Sequence, residues 1–325
     1  MRARAAWLTL LVLAVGGCAE PGEAGAVQAD AAETGGRAAQ QAPPGTGDQQ
    51  AAPIPLSGTE TPDDWRILEE RIRWAREQGV DTLPIGERVA ALGRTFVGDP
   101  YTPGTLEVAE PEALVVNLRE FDCVTFVESS LALARVLGST PRSVTDPAAL
   151  KQRFIRELTG LRYRSGSPNG YASRLHYFSE WILDNEKRGH VRQVSAELGG
   201  VEDREPIRFM SSHPDAYRQM ADPAVREAIA RIEPELPSRI WIPKARIAEI
   251  ADRIQDGDII AATSTLDGLD VAHTGIALWV GGELHLMHAP LVGKSVEISE
   301  LPLAERIRGI RSQDGIMVVR PLEVG

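Results

Sequence analysis

Apolar residues recur at helical spacing in the first strongly patterned segment of the chain. In "TPDDWRILEERIRWAREQG", Trp65, Leu68 and Ile72 follow one another at intervals of three or four positions, which is typical of one face of an amphipathic helix. Residues 61–64 supply start signals and Gly79 a stop signal,. A second helix is predicted in "PIGERVAALGRTFVG", and the short run "EALVVNL" predicts a strand,.

The stretch 123–137, "CVTFVESSLALARVL", is apolar on both helical faces, and only Glu128 and Arg135 in it are charged. A helix that is apolar all round is buried, so we expect this one to be central in the fold. Further helices are predicted at about 148–159 and 171–184.

The C-terminal third of the chain has a different pattern. "GDIIAAT", "AHTGIALWV", "ELHLMHA" and "GIMVVRPL" are short β-prone runs divided by turn residues,. The segment at about 187–245 is punctuated by Pro and Gly and has no assignable period. Helices followed by an antiparallel sheet indicate the α+β class.

The N-terminus has the pattern of a signal peptide over residues 1–17: early arginines, then an apolar run, then small residues,. The ending "VGGC" resembles a bacterial lipobox, in which Cys18 would be lipidated and become the new N-terminus; ordinary secretion with cleavage nearby is the alternative. Ala19 follows the cysteine, which resembles the outer-membrane sorting pattern if the host has two membranes. We therefore expect an exported, membrane-anchored lipoprotein at the periplasmic face.

Composition divides the rest of the chain into two parts. Residues 18–60 are rich in Ala, Gly, Gln and Pro, and such a stretch buries too little surface to order itself, so a disordered tether is predicted. Residues 61–325 are enough for one large domain, or for one domain with an inserted subdomain.

Net charge and cysteine spacing exclude several kinds of partner and metal site. The formal net charge of -11 argues against nucleic acid as a partner and against a basic patch for anionic lipid. The chain has no Cys-x-x-Cys and no His-Glu-x-x-His, so no zinc site is indicated. With Cys18 used for lipid, Cys123 has no intramolecular partner. An unpaired thiol in an oxidising compartment is a hazard unless it is buried or used.

Cys123 follows a helix-capping residue. Asp122 is a good N-cap residue, which makes Cys123 the first residue of the helix,. Unpaired N–H groups and the positive end of the helix dipole favour the thiolate there, although Asp122 works slightly against that effect. The alternative is that Cys123 is a small buried apolar residue.

A cysteine nucleophile needs an imidazole base, which in turn needs a polar group to orient it. Of the six histidines, those of one β-hairpin can be placed. The Gly281-Gly282 pair is a strong two-residue turn signal. Such a turn pairs Val280 with Glu283 and, counting back, places Gly275 opposite His288.

Side chains alternate between the two faces of a strand, which sorts the histidines of this hairpin. His273 shares a face with Gly275 and His288, and the Cβ atoms of the two histidines become diagonal neighbours at about 7–8 Å. His285 falls on the other face. A three-residue turn would reverse the parity and bring His285 in instead.

These residues are similar to a known set of motifs. "FDCVTF" at a helix start and "AHTGIALWVGGELHLMHAP" on a hairpin resemble the papain-like NlpC superfamily of cell-wall amidases and peptidases. That superfamily has Asp-Cys, then His-x-Gly-Ile, and often His-Ala on the next strand. The segments "GDPYTPGTLE", "VVNLREFDCVTFVES", "GYASRLHYFSEWILDN", "IRFMSSHP" and "GLDVAHTGIAL" are closer to one branch, the N-acetylmuramoyl-L-alanine amidase-like family. The chain departs from the general pattern in having Cys-Val-Thr where Cys-Ser-Gly is usual, and in the 150 positions between Cys123 and His273.

The resemblance implies a papain-like NlpC-type fold over residues 61–325, with a central antiparallel sheet, the nucleophile at a buried helix N-terminus and a helical insertion around 140–245. It implies a cysteine amidase that hydrolyses the N-acetylmuramoyl-L-alanine bond of peptidoglycan fragments through a thioester. Cys123 would be the nucleophile, His273 the base and His288 its orienting partner. No metal or cofactor is implied, and we expect a monomer. The alternatives are a stem-peptide D,L-endopeptidase with the same triad and a non-catalytic, lipid-tethered binding module.

Several polar residues are candidates for substrate contact. "ASRLHYF" is predicted to lie within about one and a half helical turns. Arg174 could bind a substrate carboxylate bidentately or make an internal salt bridge. Tyr101 would line the cleft or brace its loop, and Thr125 would face the cleft or serve helix packing. The candidate substrate-binding residues are Asp122, Thr125, Arg174, His176, Tyr177 and Tyr101.

Overall fold

The computed structural model describes residues 54–108, 111–291 and 295–325. The predicted signal peptide, the lipidation site Cys18 and nearly all of the tether 18–60 lie outside the described residues. Among the helices of the described part, none combines the length and the apolar character needed to cross a bilayer.

Helices dominate the first half of the described chain and strands the second. The helices are α1 (Pro62–Glu77), α2 (Ile85–Arg94), α3 (Cys123–Ser139), α4 (Pro147–Arg162), α5 (Phe178–Lys187), α6 (Phe209–Ser212), α7 (Pro223–Ile232), α8 (Ile247–Ile250) and α9 (Leu303–Gly309). The strands are β1 (Val191–Gln193), β2 (Val201–Asp203), β3 (Arg239–Pro243), β4 (Ile259–Ser264), β5 (Val271–Val280), β6 (Glu283–His288), β7 (Glu297–Ile298) and β8 (Gln313–Pro321). This confirms the α+β class.

All strand pairs among the described residues are antiparallel. The strand order is β2-β3-β8-β4-β5-β6-β7, and β1 pairs with the same long strand, β8. The β4–β5 ladder contains a bulge beyond Ala262 and its partner His273. Strands β4, β5, β6 and β7 therefore form a meander, and the C-terminal strand β8 lies between β4 and β3.

Side chains on the two faces of the sheet are buried in two separate apolar cores. Ile276 and Met287 point to the larger core, which is formed with α1 to α5. Ala277 and Leu286, each one position away, point to a second core that α8 and α9 cover. Helix α3 is buried from Thr125 to Leu137, as its apolar pattern predicts. The sheet therefore lies between two helical layers.

The predicted hairpin register is confirmed. Gly281 and Gly282 form the two-residue turn with positive φ values of 61° and 89°, which a type I′ turn requires. Val280 pairs with Glu283 and Ile276 with Met287. The turn therefore fixes which residues of β5 and β6 share a face.

The predicted strand at 112–118 is wrong. Its apolar residues are buried in the larger core, but the segment makes only an isolated bridge, from Leu114 to Leu56. Side chains satisfy the backbone instead of a ladder, because Arg162 Nη1 donates to Val115 O at 2.6 Å and Leu118 N donates to Asp64 Oδ1 at 2.7 Å. Burial, and not strand pairing, explains the apolar run.

The predicted helix at 171–184 starts later than expected. Tyr171–Ser173 is a single 3₁₀ turn, and α5 begins at Phe178. Between them the backbone is extended, and Leu175 N donates to Arg162 O at 2.9 Å. This long-range bond to the end of α4 competes with helix formation, so "ASRLHYF" does not share one helical face.

The insertion predicted around 140–245 has more than helices. It contains α4 to α7, but also β1, β2 and β3, and two of these strands pair directly with β8. Strands of three to five residues are too short to show a period of two in the sequence. The partner of β1 and β3 lies more than seventy positions away, from Gly315 onward.

Candidate active site

Helix α3 begins with a reciprocal cap. Asp122 Oδ1 accepts hydrogen bonds from Val124 N at 3.1 Å and Thr125 N at 2.8 Å, and Thr125 Oγ1 accepts one from Asp122 N at 2.9 Å. The cap confirms Asp122 as the N-cap and Cys123 as the first helical residue. Both capping side chains are engaged with the helix, which gives Thr125 the local structural role that was its alternative.

Cys123 is bound to the strand that contains His273. Thr274 Oγ1 donates to the carbonyl oxygen of Cys123 at 2.8 Å. This bond joins the start of α3 to β5 across 151 positions of sequence. The cysteine side chain is nearly enclosed, with the residue only 3% exposed, and it lines one cavity together with His273.

The two histidines predicted to be neighbours are hydrogen-bonded. His273 Nε2 lies 2.8 Å from His288 Nδ1, and the two rings are perpendicular with centroids 4.9 Å apart. His288 is fully buried, whereas His273 is partly exposed. The ring of His285 is bonded instead to Ser299 O at 2.8 Å. The register therefore selects His288, and not His285, as the partner of His273.

Burial determines the charge state of this group. It raises the pKa of the Cys123 thiol to about 12, and the Asp122 carboxylate adds to the rise, whereas the N–H and hydroxyl of Thr274 oppose it. Burial also lowers the pKa of His273 to about 3, with a further contribution from Arg306. The pKa of His288 is lowered by burial, by His273 and by Arg306. The backbone N–H at the helix start acts in the direction expected, towards the thiolate, but burial outweighs it.

Arg174 makes the internal ion pair and not an open binding site. Its Nη2 donates to Glu107 Oε1 at 2.5 Å and its Nη1 to Leu106 O at 2.6 Å. The guanidinium also lies over the Tyr171 ring, 4.8 Å from its centroid. Arg174 thereby holds the loop 104–107 at the wall of the cavity, which it lines itself.

The candidates His176 and Tyr177 have different surroundings. His176 lines the cavity, and its Nε2 lies 2.8 Å from Tyr171 O; burial and nearby Arg174 lower its pKa well below the usual value. Tyr177 belongs to a third, smaller core, where its hydroxyl donates to Glu233 Oε1 at 2.8 Å. Tyr177 does not line the cavity with Cys123.

Tyr101 braces its loop. Its backbone forms a parallel bridge with Phe121, directly before the cap of α3. The neighbouring Thr102 N donates to Phe121 O at 2.9 Å. The side chain packs against the larger core and does not line the cavity with Cys123. This is the second of the two roles expected for Tyr101.

One feature of the cavity wall was missed by sequence reasoning. Arg162 Nε donates to Glu128 Oε2 at 2.8 Å, and both side chains are almost fully buried. Glu128 lies on α3 below Cys123, and both members of the pair line the cavity. The signal was present, because a lone acid in an apolar helix needs a buried partner. The partner could not be identified from the sequence.

The fold and the site together define a class: an α+β protein with an enclosed cysteine at a helix N-terminus and a pair of hydrogen-bonded histidines on a neighbouring hairpin. The chain belongs to the N-acetylmuramoyl-L-alanine amidase-like family, since a family model with that description matches residues 91–316. The matched region includes Cys123, His273 and His288. No curated protein was found to match the chain.

Solved structures similar to this chain include an amidase. An N-acetylmuramoyl-L-alanine amidase from Bacteroides uniformis is 36% identical, with a TM-score of 0.68, over 74% of this chain and 99% of that one. A proposed xylanase from Bacteroides fragilis is 35% identical, with a TM-score of 0.65, over 70% of this chain and 98% of that one. A Legionella pneumophila protein shares the fold at 20% identity, with a TM-score of 0.56, over 80% and 94% of the two chains.

Proposed function

We propose that this protein is a cysteine amidase that hydrolyses the bond between the lactyl group of N-acetylmuramic acid and L-alanine in peptidoglycan fragments. One observation supports this above the others: Cys123, at the N-terminus of α3, lines the same cavity as His273, which is hydrogen-bonded to His288. Membership of the amidase-like family and the amidase from Bacteroides uniformis support the choice of bond. The Asp-Cys helix start and the His-x-Gly-Ile strand favour placement in the papain-like NlpC superfamily.

The reaction starts from neutral groups. Nε2 of His273 is engaged with His288, so Nδ1 is the nitrogen left to accept the Cys123 proton. As that proton moves to Nδ1, the sulfur attacks the amide carbonyl carbon and a tetrahedral oxyanion forms. His273 then gives the proton to the departing amine of L-alanine, the C–N bond breaks, and a thioester remains on Cys123. Water, deprotonated by His273, hydrolyses the thioester and restores the thiol.

The helix start supplies a stabilising group for the oxyanion. The first N–H groups of a helix have no partner within the helix. Asp122 accepts from the N–H groups of Val124 and Thr125, and we assign the N–H of Cys123 to the oxyanion. Loss of one such donor typically lowers kcat by a factor of about 10²–10³.

The carboxylates of the cavity do not favour glycoside hydrolysis, which the name of the Bacteroides fragilis neighbour suggests for that protein. That chemistry uses two carboxyl groups on either side of the scissile bond. Here Glu128 is paired with Arg162, and Asp270 accepts from the N–H and hydroxyl of Ser179, both at 2.7 Å. The other two carboxylates that line the cavity are engaged as well, because Glu107 is paired with Arg174 and Asp122 caps α3. This supports the cysteine as the reactive group.

A product assay on defined muropeptides tests the proposal. Mass spectrometry should detect a free L-Ala-D-Glu-diaminopimelate peptide and an unsubstituted muramyl sugar. A retained muramyl-L-Ala-D-Glu would instead identify the D,L-endopeptidase.

Cys123→Ala should lower kcat at least about a thousandfold without loss of folding. If Cys123→Ala or Cys123→Ser retains wild-type activity or phenotype, the cysteine mechanism is refuted.

We also propose that the protein is exported and anchored to the membrane through lipid on Cys18, with residues 18–60 as the tether. The support is the signal-peptide pattern of residues 1–17 and the lipobox-like sequence "VGGC",. Expression of the full chain and of Cys18→Ala in a bacterial host, followed by detergent phase partitioning, tests the anchor. The wild type should enter the detergent phase and the variant the aqueous phase. Equal partitioning would contradict lipidation.

A further inference from the structure

The far side of the histidine pair has an unsatisfied buried atom. His288 is 0% exposed, and its Nε2 has no hydrogen-bond partner among the described residues. Buried polar atoms of this kind are rare in folded proteins, so each one requires an explanation. Among the described residues, the carboxylate nearest to it is that of Glu297, whose Oε1 lies 3.7 Å from His288 Nε2.

The sheet places Glu297 directly beside this histidine. Strand β7 pairs with β6, and His288 is the register partner of Glu297. The Glu297 side chain is 41% exposed, which leaves it free to rotate towards the ring. A change of under 1 Å brings the separation into the range of an N–H···O hydrogen bond.

The direction of the His273–His288 bond decides whether His273 can act as a base. If His273 donates from Nε2, its Nδ1 has a free lone pair and can accept the proton of Cys123. His288 Nδ1 must then be the acceptor, which puts the His288 proton on Nε2, opposite Glu297. In the reverse arrangement His273 carries its proton on Nδ1 and cannot act as a base. The tautomer of one ring therefore depends on what the other ring can donate to.

We propose that Glu297 is a positioning residue that accepts the Nε2 proton of His288 and so holds His273 in the tautomer with a free Nδ1. This rests on the proposed cysteine mechanism. Glu297 touches neither the substrate nor Cys123 and acts only through His288. Its charge also opposes that of Arg306 on α9, which disfavours a proton on either imidazole. The positive charge that His273 gains during acylation is thereby compensated.

Nuclear magnetic resonance tests the tautomer without any substrate. In full-length protein labelled with ¹⁵N-histidine, His288 should be protonated at Nε2, with the signal assigned by its loss in H288Q. Glu297→Ala should populate the Nδ1–H tautomer, because the acceptor is gone. Glu297→Gln should retain Nε2–H, because its amide oxygen still accepts. A His288 ring protonated at Nδ1 in the wild type, or tautomer populations unchanged in Glu297→Ala, overturns the proposal.

Kinetics supply the second readout. Glu297→Ala should lower kcat with KM unchanged, by roughly the 10–100-fold that loss of the outer partner of a metal-bound histidine costs. Glu297→Gln should recover part of this loss. Glu283→Ala is the matched control: it removes an exposed glutamate at the opposite end of β6 and should leave kcat unchanged. A fully active Glu297→Ala overturns the proposal, whereas inactivity of the wild type refutes the proposed function and leaves the tautomer experiment decisive for Glu297.

Discussion

At the scale of single residues, Cys123 is subject to two opposing effects. The field at a helix N-terminus stabilises a negative charge by about 0.3–2 kcal/mol. Enclosure raises the pKa of the thiol from its ordinary 9.0 to about 12, which corresponds to about 4 kcal/mol against the thiolate. Burial therefore wins in the free protein. The chemistry needs His273 to remove the proton as the substrate is attacked, and not a preformed ion pair.

Thiol alkylation measures this balance. Because burial raises the pKa of the Cys123 thiol, iodoacetamide at pH 6 should react with it more slowly than with a free cysteine, and the rate should rise with pH. Quantification of the modified peptide by mass spectrometry gives the rate. A reaction faster than that of free cysteine at pH 6 would contradict the neutral thiol and restore the thiolate favoured by the helix start.

At the scale of elements, the hairpin β5–β6 is determined by its turn and by one crowded position. Gly281 and Gly282 supply the positive φ values, and the two-residue loop then fixes the register. Further along, a Cβ added at Gly275 would lie 2.8 Å from Met287 O and 2.8 Å from Leu286 Cδ1. The small residue lets β5 and β6 approach beside the histidine pair.

Gly275→Ala should therefore destabilise the protein and weaken the site. Overpacking against a backbone carbonyl typically costs about 1–3 kcal/mol, and any shift of β6 moves His288 relative to His273. Urea unfolding measures the first effect and muropeptide turnover the second. Gly309→Ala is the control, because its Cβ would meet nothing within 4 Å, and both quantities should stay near wild type. An unchanged free energy of unfolding in Gly275→Ala would contradict the prediction, because β5 and β6 could then move apart without destabilising the protein.

The loop 104–107 depends on Arg174. Arg174→Ala removes the buried partner of Glu107 and the donor to Leu106 O, and breaking a buried pair costs about 3–5 kcal/mol. Urea unfolding should register this loss, and limited proteolysis should show faster cleavage in the loop. Arg231→Ala is the control, since its pair with Glu227 on α7 is exposed and is worth only about 0.3–0.5 kcal/mol. Equal effects of the two variants would exclude a clamping role for Arg174.

At the scale of the whole molecule, burial keeps several imidazoles neutral. Enclosure lowers the pKa of His190 to about 4, with contributions from Arg135 and Arg188, and that of His273 to about 3. The unfolded chain protonates these rings near pH 6.5, so between pH 6.5 and 4 it binds more protons than the folded chain. The free energy of unfolding therefore falls as the pH falls. Burial raises the pKa of Glu128 and of Asp270, and these groups act in the opposite sense at the acidic end.

A variant isolates the histidine contribution. His190→Gln keeps an acceptor for Arg188, whose Nη1 lies 3.2 Å from His190 Nε2, but it cannot be protonated. The slope of the unfolding free energy against pH between 4 and 6.5 should fall by a part of the ~1.4 kcal/mol per pH unit that one full proton contributes, because the half-buried ring is partly screened by solvent. Urea titrations at several pH values measure it. A slope identical to that of the wild type would mean that His190 binds its proton equally well in both states.

Local patterns predicted the elements whose determinants are local. The caps of α1 and α3, the all-apolar character of α3 and the Gly281-Gly282 turn depend on residues a few positions apart, and the structure confirms them. Patterns failed where a distant partner decides the conformation. Leu175 N donates to Arg162 O, and α5 begins only at Phe178. Strands β1 and β3, in the segment 187–245 that had no assignment, pair with β8.

The sequence by itself determined that Asp122 caps a buried helix at Cys123 and that His273 and His288 share one face, because both follow from hydrogen-bonding and alternation rules within a few residues. The tertiary structure alone decided that burial raises the pKa of the thiol and lowers that of the imidazole, that Arg174 is paired with Glu107, and that Glu297 lies against His288. Desolvation and charge pairing depend on which segments enclose a group. That enclosure is formed by elements many tens of positions apart, which no local pattern encodes.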